Sequence, residues 1–195
     1  TNVHHEHRCR TILTCESFRD MTIYNKKRVS FLKRAQILVS DVHGALKNGP
    51  NADLVAFPDL ETISMFADYR VPQALCYLNC LEYSDALLEV LQTNTMLKYG
   101  EEKECELRGA SIYAVQKIYE EIKRVRAAGP YSECYAATVS SDYRLIAFVA
   151  EDVDLTEKRA VLPVDIDVWL WQFRRDNAED VEALVPHHRT RSIYY

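Results

Sequence analysis

Residues 102–127 read EKECELRGASIYAVQKIYEEIKRVRA, and the spacing of their apolar side chains decides what kind of fold the chain can have. Leu107, Ala114, Ile118, Ile122 and Val125 recur at intervals of three, four and seven, the repeat of one face of a helix. The spacing predicts a single long helix with those residues inward, with room for a bend at Gly109 and a stop at Gly129-Pro130. Working outward, VSFLKRAQILVSDVHGAL (29–46) predicts a second helix that ends at Asn48-Gly49-Pro50, with Phe31, Ala35, Leu38, Val42 and Leu46 as its core stripe. Pro58-Asp59 opens a short helix through Phe66, Val71-Pro72 another, and Ser84-Asp85 caps ALLEVLQ. PVDIDVWLWQFRR (163–175) is helical, with Ile166, Leu170 and Phe173 on one face. Residues 131–160 depart from this pattern, and the β-branched and aromatic residues around Ser140-Ser141-Asp142 allow a short hairpin. The class expected is all-α, mostly helix, in one domain over 1–195 with a flexible stretch at 1–15.

Composition narrows the function classes. At 195 residues, 48% apolar and 27% charged, the chain has the balance of an ordinary globular domain. Twenty-nine acidic against 24 basic residues give a net charge of −5, which argues against polymeric nucleic acid as a partner, since that binding is driven by neutralising phosphates. No apolar run reaches the length of a membrane span, and TNVHHEHRCRTILTC at the start lacks the apolar centre of a signal peptide. Six cysteines, at 9, 15, 76, 80, 105 and 134, form no Cys-x-x-Cys pair and read as free thiols in a reducing compartment, by default the cytoplasm.

The residues with chemical potential lie where apolar patterning is interrupted. In TISMFADYRVPQALCYL (62–78), Asp68 and Arg70 stand between two apolar runs. Asp68 is either a cap for the helix opening at Pro72 or a carboxylate kept ionised beside a helix N-terminus. Lys33 has Val29 and Ile37 one turn to either side, so it either snorkels over the core edge or is buried and needs a partner. Asp167 and Trp171 are i and i+4 and share a helix face with Arg174 a turn further; Asp167 is there either solvated or set under an indole. His187, His188, Arg189 and Arg191 crowd the tail, as a solvated basic end or as a grip for a phosphate monoester. The histidines at 4, 5 and 7 sit at a terminus, where fixed metal geometry is hard to build. No P-loop, dinucleotide fingerprint, Ser-His-Asp order or zinc spacing is present.

Six words then line up in order: KRAQIL (33–38), MFADYRVPQ (65–73), EYSDALL (82–88), YGEEKECELRG (99–109), DVWLW (167–171) and HRTRSIYY (188–195). Together, over Glu16 to Tyr195, they closely resemble the queuosine salvage family. The resemblance implies an all-α fold akin to helix-hairpin-helix DNA glycosylases and hydrolysis of a small molecule, queuosine 5′-phosphate, to queuine, without metal or redox cofactor. Matched residue by residue, it makes Asp68 and Lys33 the catalytic pair. Asp68 would stabilise the oxocarbenium-like sugar and activate water, with Lys33 beside it to hold the carboxylate or touch base or ribose. Asp167 would accept from the guanine-like edge of the base, and Phe66, Tyr69 and Trp171 would offer stacking faces. Arg70, Arg108, His188 and Arg189 compete for the 5′-phosphate, and Tyr195 matches the closing Ile-Tyr-Tyr of the tail. The chain departs from the family in three places: a further N-terminal portion is usual, Gln172 stands where aspartate usually follows Trp171, and the 131–160 loop is longer. The rival expectations are a queuine-binding module that no longer cleaves, and a protein acting on tRNA itself.

Overall fold

The computed structural model describes residues 12–127 and 161–195. After two short 3-10 turns, Met21–Tyr24 (β1) and Lys27–Ser30 (β2) form an antiparallel hairpin in which Tyr24 pairs with Lys27. The turn residues Asn25 and Lys26 both have positive φ, 49° and 62°, the mirror-image turn whose twist suits a tight hairpin. This hairpin corrects the expectation of helix from Val29. The helix α1 covers Lys33–Leu46 and is entered through Leu32, held at φ 50° in the left-handed region. The hairpin expected in 131–160, most of the stretch 1–15 expected to be flexible, and the histidines at 4, 5 and 7 lie outside the described residues.

Helix α1 buries only its first turn and a half. Lys33, Ala35 and Gln36 are inside, whereas Leu38 and Val42 of the expected core stripe are 38% and 37% exposed. Beyond that point the helix lies against the 3-10 turns at Glu16–Phe18 and Ala52–Val55, and His43 reaches the Val55 carbonyl and the Phe57 ring, so periodicity ran on where deep burial did not. The helix expected from Pro58 to Phe66 is a 3-10 turn, Leu60–Thr62, followed by non-helical chain. Residues 63–67 thread the core, with Ile63, Met65 and Ala67 buried.

The remaining helices assemble around that thread. Helix α2, Val71–Tyr77, starts with Pro72 in its first turn and is buried from Val71 to Leu75. It packs on α4 (Glu102–Ala127), α5 (Pro163–Asp176) and α6 (Ala178–Leu184). Met65, Leu75, Ile166 and Leu170 are fully enclosed there, each contributing roughly 1.5–3 kcal/mol of burial. Between them, Ser84 caps α3 (Asp85–Gln92) by accepting the Leu87 N–H at 3.3 Å, as the sequence led one to expect. The long helix runs unbroken through Gly109, and Leu107, Ile118 and Ile122 face inward. Helix α5 opens with Pro163, its first turn secured by Asp165, whose carboxylate accepts the Leu162 N–H at 2.8 Å. Finally β3 (Met96–Leu97) pairs in parallel with β4 (Arg189–Thr190), anchoring the tail over the core. The architecture is mostly helical. Among the described residues no helix is long and apolar enough to cross a membrane, and Cys15, Cys76, Cys80 and Cys105 are free thiols.

Candidate active site

Three separated pieces of chain bring Lys33, Asp68 and Asp167 together. Lys33 is set by Asp20, a fully buried residue at the mouth of the hairpin. The Asp20 carbonyl accepts the N–H groups of Phe31 (3.0 Å) and Leu32 (3.3 Å), and its carboxylate accepts the Lys33 N–H (3.1 Å). That grip holds Leu32 in a left-handed conformation costing about 1–2 kcal/mol for a residue with a Cβ. It also aims the first side chain of α1 into the protein. Lys33 is 9% exposed. Burial lowers its pKa, and the charge of Asp68 is the strongest influence opposing that, with Asp167 and Asp20 adding to it.

Asp68 is the cap that its place before Pro72 predicted. Its Oδ1 accepts the N–H groups of Arg70 (2.8 Å) and Val71 (2.9 Å), satisfying free amides at the start of α2. Among the described residues both hydrogen bonds fall on Oδ1, which leaves the lone pairs of Oδ2 for a water or a sugar. The same carboxylate acts electrostatically on Lys33 and Asp167. It caps α2 and lies within electrostatic reach of the other two groups.

Asp167 is 5% exposed and accepts the Phe66 N–H at 3.0 Å, a bond that ties α5 to the core thread 101 residues away. Burial and then the Asp68 charge push its pKa up to about 8, against the pull of the Phe66 amide and Lys33. Near neutral pH it therefore carries a proton while facing a second carboxylate. Two carboxyl groups with divergent environments and one lysine make a pairing suited to acid–base work.

Beneath lies a buried polar floor. Arg108, fully enclosed, gives its Nε to the Ala67 carbonyl (3.0 Å) and its terminal nitrogens to Asp20 and Glu104. It also stacks over Phe31, 4.0 Å from the ring centre. Tyr195 donates to Glu104 at 2.6 Å, and His188 Nε2 lies 3.1 Å from the same hydroxyl. Because the tyrosine proton is committed to Glu104, Nε2 is the donor and His188 is neutral. Burial, with the Arg108 and His187 charges behind it, drops its pKa to about 3. The Lys33 ammonium rests 5.8 Å from the centre of the Tyr195 ring, so this floor supports the lysine directly.

A model for the family described as Queuosine salvage protein matches residues 9–195. The chain belongs to that family. Its curated relatives include proteins named queuosine 5′-phosphate N-glycosylase/hydrolase from Bos taurus, 38% identical over 181 residues, and Mus musculus, 37% identical over 179. A bacterial relative of the same name, from Sphaerobacter thermophilus, is 36% identical over 180 residues. Each alignment takes in 92% of this chain but 44% of the relative, so the chain spans a little under half the length of the curated relatives it matches.

Not all the residues singled out from sequence converge. Lys33, Asp68 and Asp167 do, with Tyr195 below, and Phe66 is joined to Asp167 through its backbone. Tyr69 lies beside Tyr195, ring centres 6.5 Å apart, and beside His187 at 5.9 Å. Arg70 stacks on Tyr69 and reaches Glu182 at 3.2 Å. Arg108 and His188, expected to compete for phosphate, lie in the floor: the Arg108 nitrogens are taken by Ala67, Asp20 and Glu104, whereas the buried Nδ1 of His188 has no partner among the described residues. Trp171, expected as a stacking face, is 40% exposed and has Arg175 over its ring at 4.6 Å. Arg189 is exposed on the paired tail. Sequence reading missed Asp20 and Glu104. Asp20 carries no helical or motif signal, and Glu104 sits in a run of acids that looks solvated.

Proposed function

We propose that this chain carries the catalytic part of a nucleotide N-glycosidase that hydrolyses queuosine 5′-phosphate to queuine and ribose 5-phosphate. One observation supports it above the others. A buried lysine and two carboxyl groups from three distant segments meet in a chain whose relatives are named for this reaction. Cleavage of an N-glycosidic bond needs negative charge near the anomeric carbon, an activated water and relief of charge on the departing base. Asp68 supplies the first two: Oδ1 is fixed by the α2 amides, and Oδ2 takes the proton of the attacking water. Lys33 sets a positive charge against Asp68 beside the second carboxyl group. Asp167, whose pKa of about 8 keeps it protonated at neutral pH, donates to the carbonyl oxygen of the guanine-like edge. This replaces the purely accepting role expected from sequence, and it neutralises charge that builds on the base as the bond breaks. Water adds to C1′, the C1′–N bond electrons pass to the base, and the base picks up a proton. A reducing, cytoplasmic setting fits the free thiols.

The test is Asp68→Asn. Asparagine keeps an acceptor for the two α2 amides, so the fold and melting temperature hold. Turnover falls by about 100-fold or more, the usual contribution of a general base. A variant that releases queuine at near-normal rate removes Asp68 from the chemistry.

A further inference from the structure

Glu182, half exposed on α6, gathers the basic groups of three elements around one carboxylate. Its Oε2 accepts from Arg70 Nη1 at 3.2 Å, from Arg174 and from Gln73 Nε2 at 3.1 Å, and its Oε1 lies 2.8 Å from His187 Nδ1. Arg189 adds a further positive charge within reach of His187. One carboxylate thus faces two guanidinium groups and an imidazole, with Arg189 beyond the imidazole, and the cluster remains cationic with Glu182 in place.

The cluster is also built on its inner side. Gln73, fully buried, is fixed by the Val185 carbonyl at 2.6 Å and holds Arg174 through its Nε at 2.9 Å. Arg174 is therefore aimed before anything binds. The outer member, Glu182, is the most solvent-exposed of the ion-paired groups, so it can turn outward without unpacking the core.

Position links the cluster to the site. Arg70 is two residues from Asp68, so their Cα atoms are within about 7 Å. A row of side chains leads there from the lysine: Lys33 over Tyr195, Tyr195 beside Tyr69, Tyr69 beside His187. A nucleotide with its anomeric carbon at Asp68 and its sugar along the tyrosines brings its 5′ end to Arg70 and His187.

We propose that Arg70, Arg174 and His187 form the 5′-phosphate site, and that Glu182 is an internal competitor which the phosphate displaces. The inference rests on the nucleotide reading above and adds the means of choosing nucleotide over nucleoside. A phosphate monoester offers three acceptor oxygens and nearly two charges where the carboxylate offers two oxygens and one charge, so it outcompetes Glu182 for forked guanidinium donors. An unphosphorylated nucleoside cannot make this exchange and leaves Glu182 in place.

The experiment is calorimetric titration of this chain, Glu182→Gln and Arg70→Gln with ribose 5-phosphate, with ribose as the control. Melting curves establish that each variant is folded, and His187→Gln stands in if Arg70→Gln does not fold. Removing the competitor tightens ribose 5-phosphate, and removing Arg70 or His187 weakens it by about tenfold or more, the weight of a charge-assisted hydrogen bond. Ribose responds to neither. Equal affinities across the variants, or no preference of the parent chain for ribose 5-phosphate over ribose, overturn the assignment. Because the probe has no base to lose, the ordering of affinities stands apart from cleavage. A chain that shows it yet releases no queuine would refute the glycosidase and keep the phosphate site.

Discussion

Replacing Asp167 by asparagine should stabilise the protein more and more as pH rises from 5 to 7. The side chain is buried, it faces Asp68, and its pKa stands at about 8. In the unfolded chain the same carboxyl group ionises near 3.9. Between those values the folded protein holds a proton that the unfolded chain has released, so folding binds protons and stability falls as pH increases. The slope for one such group is about 1.4 kcal/mol per pH unit, hence about 2.7 kcal/mol between pH 5 and 7. For a chain of this size that corresponds to about 5–11 °C in melting temperature. Asparagine keeps the oxygen that accepts the Phe66 N–H but has no proton to lose, so it lacks this slope. Lys33, whose burial depresses its pKa, pulls the other way only above its folded pKa and is present in both chains. Differential scanning calorimetry of the two proteins at half-unit steps gives the gap directly. Curves that run parallel from pH 5 to 7 would show that Asp167 is ionised in the folded site, and its role as a proton donor to the base would fall with that result.

Three further substitutions probe how the site is held. Asp68→Ala, unlike the asparagine variant, orphans the Arg70 and Val71 amides and should cost about 1 kcal/mol in urea unfolding as a lost cap; equal stability of the two variants would contradict the capping role. Asp20→Ala leaves the enclosed Arg108 without its main partner and Lys33 without its backbone anchor. It should destabilise by about 3 kcal/mol or more, and a shift under 1 kcal/mol in chemical denaturation would mean the floor tolerates an unpaired arginine. Gly100 has φ 79°, and a Cβ there would collide with Thr22 Oγ1. Gly100→Ala should therefore cost at least about 1–2 kcal/mol, and an unchanged melting temperature would show that the hairpin yields.

Local pattern carried far along the chain wherever one element packs along its whole length. The helix 102–127 obeys its periodicity because its inward face is covered from Glu104 to Ile122, and Ser84 caps where its neighbours say it should. The same periodicity misled on α1, since nothing in residues 33–46 tells that full burial ends after Gln36. Asp68 was readable as a cap from its place before Pro72. That it also faces Lys33 and Asp167 depends on packing between segments 35 and 99 residues away, which only the resemblance anticipated. Arg108 shows the limit most plainly. An arginine one helical turn after a glutamate looks like a surface ion pair, and its burial is decided by Asp20, 88 residues earlier. Burial also explains the different fates of the two tail histidines. His188 joins the floor as a neutral donor, whereas His187 faces Glu182.

The first measurement to make is queuine release by this chain from queuosine 5′-phosphate in ¹⁸O-labelled water, beside the unphosphorylated nucleoside, with products read by mass spectrometry. Hydrolysis at C1′ driven by Asp68 predicts unlabelled queuine and ribose 5-phosphate bearing one ¹⁸O, formed faster than ribose is formed from the nucleoside. Tight binding of the nucleotide without any queuine would contradict it, and would leave Lys33, Asp68 and Asp167 as a recognition site with no bond to break.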